Sequence, residues 1–310
     1  MLNKFYSMFA GDIAIDLGTA NTIIWVKGEG VVLNEPSIVA KKVHDETIIA
    51  IGNEAKEMLG RTHSGIEIVR PLKDGTIADY RMTDAMIQGF MRKIKRSRIS
   101  RPRIVICIPY GVTDVEQRSV KESAEHANAS EIYLISEPMA AAIGIGIDVT
   151  KPIGNMIVDI GGGTTEIAVI SLNGIGAIET IKVAGDEQTD AIVEWFKNQH
   201  KLGIGERTAE NIKCSVGSAI RTSGENISVK GRDLVTGLPK TIEISTDEIR
   251  QALAETVFQI TTAIKKALDK TPPEHAADII DFGIILTGGG ALLKNLDEHI
   301  RNKTGIPVHV

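Results

Sequence analysis

The segment Ile15-Asp16-Leu17-Gly18-Thr19 returns, with glycine added, as Val158-Asp159-Ile160-Gly161-Gly162-Gly163-Thr164. Each copy ends one run of strand-forming residues and leads into another, at 22–26 and at 167–170. A repeated aspartate–glycine turn of this kind calls for two similar halves, each carrying a strand–turn–strand hairpin. Glycine permits positive φ and leaves no Cβ in the way, so backbone N–H groups can approach an anion. An aspartate just ahead of the turn can stand near a phosphate-bound cation. Two such hairpins facing each other would clamp a nucleoside triphosphate. Either copy alone reads as an ordinary glycine hairpin, because short glycine motifs match often by chance. The pair, at equivalent points of two halves, is what turn geometry does not explain.

The 310 residues suit about two domains on the usual prior of roughly 100–200 residues each. Aromatics make up only 4%, so the cores are aliphatic. The net charge of −5 argues against a nucleic-acid partner. Cys107 and Cys214 form no disulfide framework and fit a reducing compartment. Cys107, inside the apolar run 104–108, is expected to be a small buried hydrophobe. No run reaches the ~18 apolar residues of a membrane-spanning helix, and Gly11-Asp12 interrupts the N-terminal apolar segment too early for a signal peptide.

The pattern along the chain predicts βββαβαβα twice over, an α/β fold with mixed sheets. Residues 12–41 read as three or four strands and 53–60 as a short helix. Ile87, Phe90, Met91 and Ile94 mark an amphipathic helix over 83–98. Thr113-x-x-Glu116 and Ser245-x-x-Glu248 are capping boxes, the second opening a helix to about Asp269 that Thr271-Pro272-Pro273 stops. Pro138 falls in the first turn of another helix, where proline is tolerated. Helices are expected near 187–200 and 206–220, and a polar hairpin over 226–244. Gly288-Gly289-Gly290 is expected to open the last helix, and residues 308–310 to begin a strand.

Three glycine turns form the candidate phosphate site. Asp16, Gly18, Thr19, Ala20 and Asn21 make the first; Asp159, Gly161, Gly162, Gly163, Thr164 and Thr165 make the second. Thr287-Gly288-Gly289-Gly290-Ala291-Leu292 is the third, a strand-to-helix turn suited to an α-phosphate and the adenosine edge, or else simply to tight packing. Neither a P-loop nor a full G-x-G-x-x-G following a strand is present. Glu210 and Lys213 share a helix face and could reach ribose and adenine, or form a solvated ion pair. Glu137 opens an alanine-rich helix. It either complements the helix dipole or orients the water that attacks a γ-phosphorus. With Thr164 and a magnesium ion near Asp16 and Asp159, it would suffice for phosphoryl transfer to water.

Together these motifs resemble the actin-like ATPase superfamily and, within it, the MreB family of bacterial actin homologues. The resemblance spans essentially the whole chain. It is most specific at Leu33-Asn34-Glu35-Pro36-Ser37 and Glu137-Pro138-Met139-Ala140-Ala141-Ala142, and includes Met58-Leu59-Gly60-Arg61-Thr62. It implies an actin-like fold of two similar α/β domains and four subdomains, with ATP and Mg2+ in the cleft. Subdomain IA would span 1–32 and 75–145, IB 33–74, IIA 146–180 and 243–310, and IIB 181–242. The family's water-positioning glutamate falls on Glu137, its γ-phosphate-sensing threonine on Thr164, and its adenosine-binding pair on Glu210 and Lys213. It further implies head-to-tail subunits in paired protofilaments on the inner face of the cytoplasmic membrane, working with the cell-wall elongation machinery. Two departures stand out. The family continues for a few tens of residues past the strand that ends this chain, and Cys214-Ser215-Val216 replaces a more charged stretch.

Two segments are candidates for the membrane surface. Leu2, Phe5, Met8 and Phe9 lie at near-helical spacing in residues 1–9, and 92–103 is the one strongly basic run. A frayed terminus and a solvated helix end are the plain alternatives. A monomeric small-molecule kinase on the same fold is the rival function, but no sizeable substrate-binding insertion is visible. A chaperone ATPase would need a further domain downstream. A catalytically idle nucleotide-binding scaffold is the last alternative.

Overall fold

Ile13, Ile15 and Leu17 are buried while Ala14 and Asp16 between them are not, the period-two signature of a strand with one face in a core. The computed structural model describes residues 11–94, 101–222 and 225–310. The chain divides into two units, Met1–Ala140 and Ala141–Val310.

The first unit contains β1 (Ile13–Leu17), β2 (Asn21–Val26), β3 (Gly30–Pro36), β4 (Val39–Lys42), β5 (Ile48–Ile51), β6 (Ile66–Val69), β7 (Leu72–Lys73), β8 (Thr76–Ile77), β9 (Arg103–Ile108) and β10 (Glu131–Ser136). Its helices are α1 (Asn53–Met58), α2 (Tyr80–Lys93) and α3 (Asp114–His126), with α4 (Glu137–Gly144) running across the division. The main sheet has the order β3-β2-β1-β9-β10, and a small sheet has the order β5-β4-β6. Strands β1, β2 and β3 are antiparallel neighbours, whereas β9 is parallel to both β1 and β10. Ile13, Ile15, Ile104 and Ile106 pack with Met86, Ile87 and Phe90 of α2 in an aliphatic core.

The second unit contains β11 (Asn155–Ile160), β12 (Thr165–Ser171), β13 (Gly174–Ile181), β14 (Leu202–Gly203), β15 (Asn226–Asp233), β16 (Pro239–Ser245), β17 (Ile284–Thr287) and β18 (Val308–His309). Its helices are α5 (Gly185–His200), α6 (Glu206–Val216), α7 (Thr246–Asp269), α8 (Pro273–Phe282) and α9 (Leu296–Thr304). The main sheet runs β13-β12-β11-β17-β18, and a small sheet runs β14-β15-β16. Antiparallel pairs join the first three strands and parallel pairs the last three. This is the order and direction pattern of the first unit's main sheet. The duplicated motif therefore marks a duplicated topology.

Both predicted capping boxes form. Thr113 Oγ1 accepts from Glu116 N–H, and Ser245 and Glu248 start α7, which ends at Asp269 as expected.

Four expectations need correction. Cys107 is only partly buried, because Ile104, Ile106 and Ile108 take the core-facing positions of β9 and leave it on the opposite face. Helix α8 begins at Pro273, in the prolines expected only to stop α7; Pro at the first helical position is compatible with helix because its missing N–H has no partner there anyway. Gly288-Gly289-Gly290 opens a short 3-10 turn, Gly289–Leu292, and not the last helix; α9 starts later, after Asn295 in the left-handed region. Finally, Gly18 and Gly161 do not sit at positive φ, whereas Gly288 does, at 82°. At Gly18 the glycine is required instead by close approach: a Cβ would stand 2.8 Å from the Asn21 carbonyl oxygen.

Candidate functional site

In the first unit the predicted residues gather where parallel strands end. Asp16 pairs in register with Cys107, and Ser136 with Ile108, so the β1–β2 turn and Glu137 both follow the C-terminal ends of parallel strands. That edge is where ligands bind in open α/β sheets. Asp16 is open to solvent, yet the protein around it withholds part of its hydration and raises its carboxyl above the ordinary aspartate value. A nearby cation would offset that desolvation. Thr19 is buried and its hydroxyl accepts the Gly75 N–H at 3.3 Å; Asn21 is exposed at the start of β2.

Sequence reasoning missed the residue that braces this turn. Ser37 is fully buried and donates to the Gly18 carbonyl at 2.6 Å, while its N–H donates to the Ala20 carbonyl at 3.0 Å. A hydroxyl–hydroxyl bond of 2.9 Å ties it to Thr22. Ser37 stands in the Asn-Glu-Pro-Ser segment, but a serine carries no mark of this role without the register that folds β3 back along β2.

The second unit repeats the arrangement. Asp159 pairs with Thr287 across parallel β11 and β17, which brings the second and third glycine turns side by side. The contact is close: a Cβ on Gly288 would lie 2.4 Å from the Ile160 carbonyl oxygen and 2.5 Å from Asp159 Oδ1. Ala291 is buried, whereas Leu292 is largely exposed. The third turn holds no α-helix N-terminus, so the dipole argument for it falls away; its short 3-10 segment supplies loop N–H groups only. Thr164 is buried and its carbonyl accepts the Gly161 N–H at 2.9 Å, closing the loop. Thr165, read as part of the phosphate set, is fully buried with its hydroxyl committed to the Val183 carbonyl at 2.7 Å, so it serves the fold.

Helix α5 supports this loop from behind. Gly185 N–H donates to the Gly161 carbonyl at 3.1 Å, and Asp186 N–H to the Gly162 carbonyl at 2.8 Å. Lys213, on α6, donates to the Gly185 carbonyl at 2.6 Å and to Thr189 Oγ1 at 2.9 Å. Among the described residues no ion pair joins it to Glu210, so the plain i,i+3 alternative is not formed. Glu210 is partly buried on the same helix.

Two sheets of one topology, each with an aspartate–glycine turn at the end of its central strand, define the actin-like α/β fold. The comparisons agree. The family model for MreB/Mbl protein matches residues 10–310. Cell shape-determining protein Mbl of Bacillus subtilis is 50% identical over 305 residues, 98% of this chain and 92% of the relative. Cell shape-determining protein MreB of Escherichia coli K12 is 48% identical over 317 residues, covering 100% and 91%. MreB5 of Spiroplasma citri, solved bound to AMPPNP, superposes with a TM-score of 0.92 at 38% identity, covering 96% of this chain and 90% of that one. The chain belongs to the MreB/Mbl family.

Proposed function

We propose that this protein binds and hydrolyses ATP with Mg2+ and forms head-to-tail filaments that help maintain rod cell shape by organising cell-wall synthesis. One observation carries the reading: two aspartate–glycine turns at matching strand ends, in a chain of a family whose curated members are named cell shape-determining. The crystal structures of a relative with AMPPNP and with ADP support the choice of an adenine nucleotide.

In this reading the N–H groups around Gly18, Thr19, Ala20 and Asn21 and those of Gly161, Gly162 and Gly163 hold the phosphates. Glu210, Lys213 and the turn Gly288–Leu292 serve the nucleoside side. Asp16 and Asp159 hold magnesium through water. Among the described residues no group of three or more potential ligands surrounds a metal position. That suits Mg2+, which uses one or two carboxylates together with substrate phosphates and water. The ion would neutralise phosphate charge; Glu137 would orient the attacking water, and Thr164 would sense the γ-phosphate.

The four-subdomain division and peripheral attachment to the inner membrane face belong to the same proposal. Residues 1–9 and part of the basic run 92–103 lie outside the described residues, and no described helix is long and apolar enough to cross a membrane.

The test combines turnover with sedimentation. ATP hydrolysis should rise steeply above a critical protein concentration, and the protein should pellet with ATP, magnesium and anionic liposomes. Glu137→Ala should still bind ATP and lose hydrolysis. Phosphorylation of a small acceptor at nanomolar protein, with no pelleting, would establish the kinase reading instead.

A further inference from the structure

We infer that Glu35 and Lys93 latch a small lobe, made of β4, β5, β6 and α1, to the main sheet of the first unit, and that closing this latch and filling the first phosphate turn favour one another. This rests on the reading that Gly18–Asn21 hold phosphate.

Apolar contact holds the lobe only at its base. Ile38, Ala40 and Ala55 form a small core of its own, separate from the aliphatic core of the main sheet. One cross-strand row, Ile51–Val39–Val69, reaches across to that larger core, and of the three only Val39 is fully buried. Segments with few buried apolar contacts sit at the low-stability end of a structure and open locally.

Polar groups supply the closure. Lys93 Nζ, at the end of α2, donates to Glu35 Oε2 at 2.7 Å and to Oε1 at 3.0 Å. Glu35 Oε2 also accepts the Asn53 N–H, the first amide of α1, at 3.1 Å. The ammonium donates as well to the Ile51 carbonyl of β5 at 3.4 Å. The Glu35 side chain is 15% exposed and that of Lys93 30%, so water and salt screen the pair only in part. Gly52, with φ 66°, leaves the carboxylate its place: a Cβ there would collide with Glu35 and stand 2.9 Å from the Phe90 ring.

The same short segment touches the phosphate turn. Pro36 fixes its own φ near −65° and confines Glu35 to extended backbone, so Glu35–Ile38 is stiff. At Ser37 it holds the Gly18 and Ala20 carbonyls, at 2.6 and 3.0 Å. On the other side Glu35 holds α1, and the Ile38 carbonyl accepts the Gly52 N–H at 2.9 Å. A ligand that fixes the turn therefore fixes the seat of the lobe. By linkage, a seated lobe must strengthen ligand binding by the same factor.

Hydrogen exchange read by peptide mass spectrometry tests this on the full chain, with and without AMPPNP and Mg2+. The protein is kept below the concentration at which it pellets, so filament contacts play no part. In wild type the nucleotide should slow exchange in peptides covering Gly18–Asn21 and also in those covering Asn53–Met58. In Glu35→Gln and Lys93→Met the first slowing should remain and the second should vanish. Glu35→Gln keeps an oxygen for the Asn53 N–H and removes only the charge. Calorimetry should show about fivefold weaker AMPPNP binding in each variant, the low end of usual coupling between sites. Wild-type exchange in β1 and β9 shows that a variant is folded, and one folded variant suffices. Lobe slowing that persists in a folded variant would overturn the inference, as would undiminished AMPPNP affinity there. So would a wild-type lobe that ignores nucleotide while the turn responds. A wild type with no slowing at Gly18–Asn21 would instead remove the phosphate-turn reading on which the latch depends.

Discussion

Gly288 and Gly289 are adjacent in one turn, yet alanine should affect them very differently. Gly288 has φ 82° and ψ 165°, a region essentially reserved for glycine, and forcing another residue into it costs of order 1–3 kcal/mol. The added Cβ would also stand 2.4 Å from the Ile160 carbonyl oxygen and 2.5 Å from Asp159 Oδ1. The first of these is backbone in the central strand of a buried sheet and cannot swing aside. Overpacking of this kind costs about 1–3 kcal/mol more. The total of roughly 2–6 kcal/mol is large beside a typical domain stability of about 5–15 kcal/mol. Gly289 has nothing within 4 Å of its would-be Cβ and does not sit at positive φ, so Gly289→Ala should stay within about 0.5 kcal/mol. Each unit holds one tryptophan, Trp25 in β2 and Trp195 in α5. In a Trp25→Phe background, urea unfolding followed by Trp195 fluorescence reports the second unit. A Gly289→Ala midpoint falling as far as that of Gly288→Ala, or a Gly288→Ala midpoint equal to wild type, would refute the reasoning.

Ser37→Ala should destabilise the first unit by about 1–3 kcal/mol, because it strands the Gly18 carbonyl and the Thr22 hydroxyl without their buried partner; thermal unfolding checks this. It should also weaken ATP binding by loosening the first turn, which titration calorimetry would detect. At the β15–β16 turn, the N–H groups of Thr236 and Val235 and the Lys240 ammonium hold Asp233 at a pKa of about 2. A carboxyl depressed on folding stabilises fully above its unfolded value of 3.8, and that contribution is lost as pH falls from there towards 2. An NMR titration of the Asp233 side-chain carbon with a midpoint near the ordinary aspartate value would contradict the turn geometry. His299 is lowered too, here because burial and the nearby Lys303 disfavour its charged form. Its contribution is complete above 6.5 and declines as pH drops below that, so His299→Gln should flatten the acid side of the stability profile measured by urea unfolding.

Much of the element pattern was legible locally. The capping boxes at Thr113 and Ser245 and the stripe of Ile87 and Phe90 each arise from neighbours three residues apart. Helix α8 was missed because a proline pair both ends one helix and can begin the next. The last helix was placed too early because glycine after a strand signals a turn without stating which residue resumes the helix. Of the candidate site, the aspartates and glycines were readable as motifs. Thr165 was misread because only the β12 register shows its hydroxyl engaged with Val183.

Two similar halves, each with an aspartate–glycine turn, were already legible in the residues alone. A repeated motif is a local property, written in consecutive residues. Which groups stand behind those turns was decided only by the tertiary structure. Ser37 reaches Gly18 across 19 positions, and Lys213 reaches Gly185 across 28. Contacts over such separations follow from strand register and helix docking, and no residue type announces them in advance.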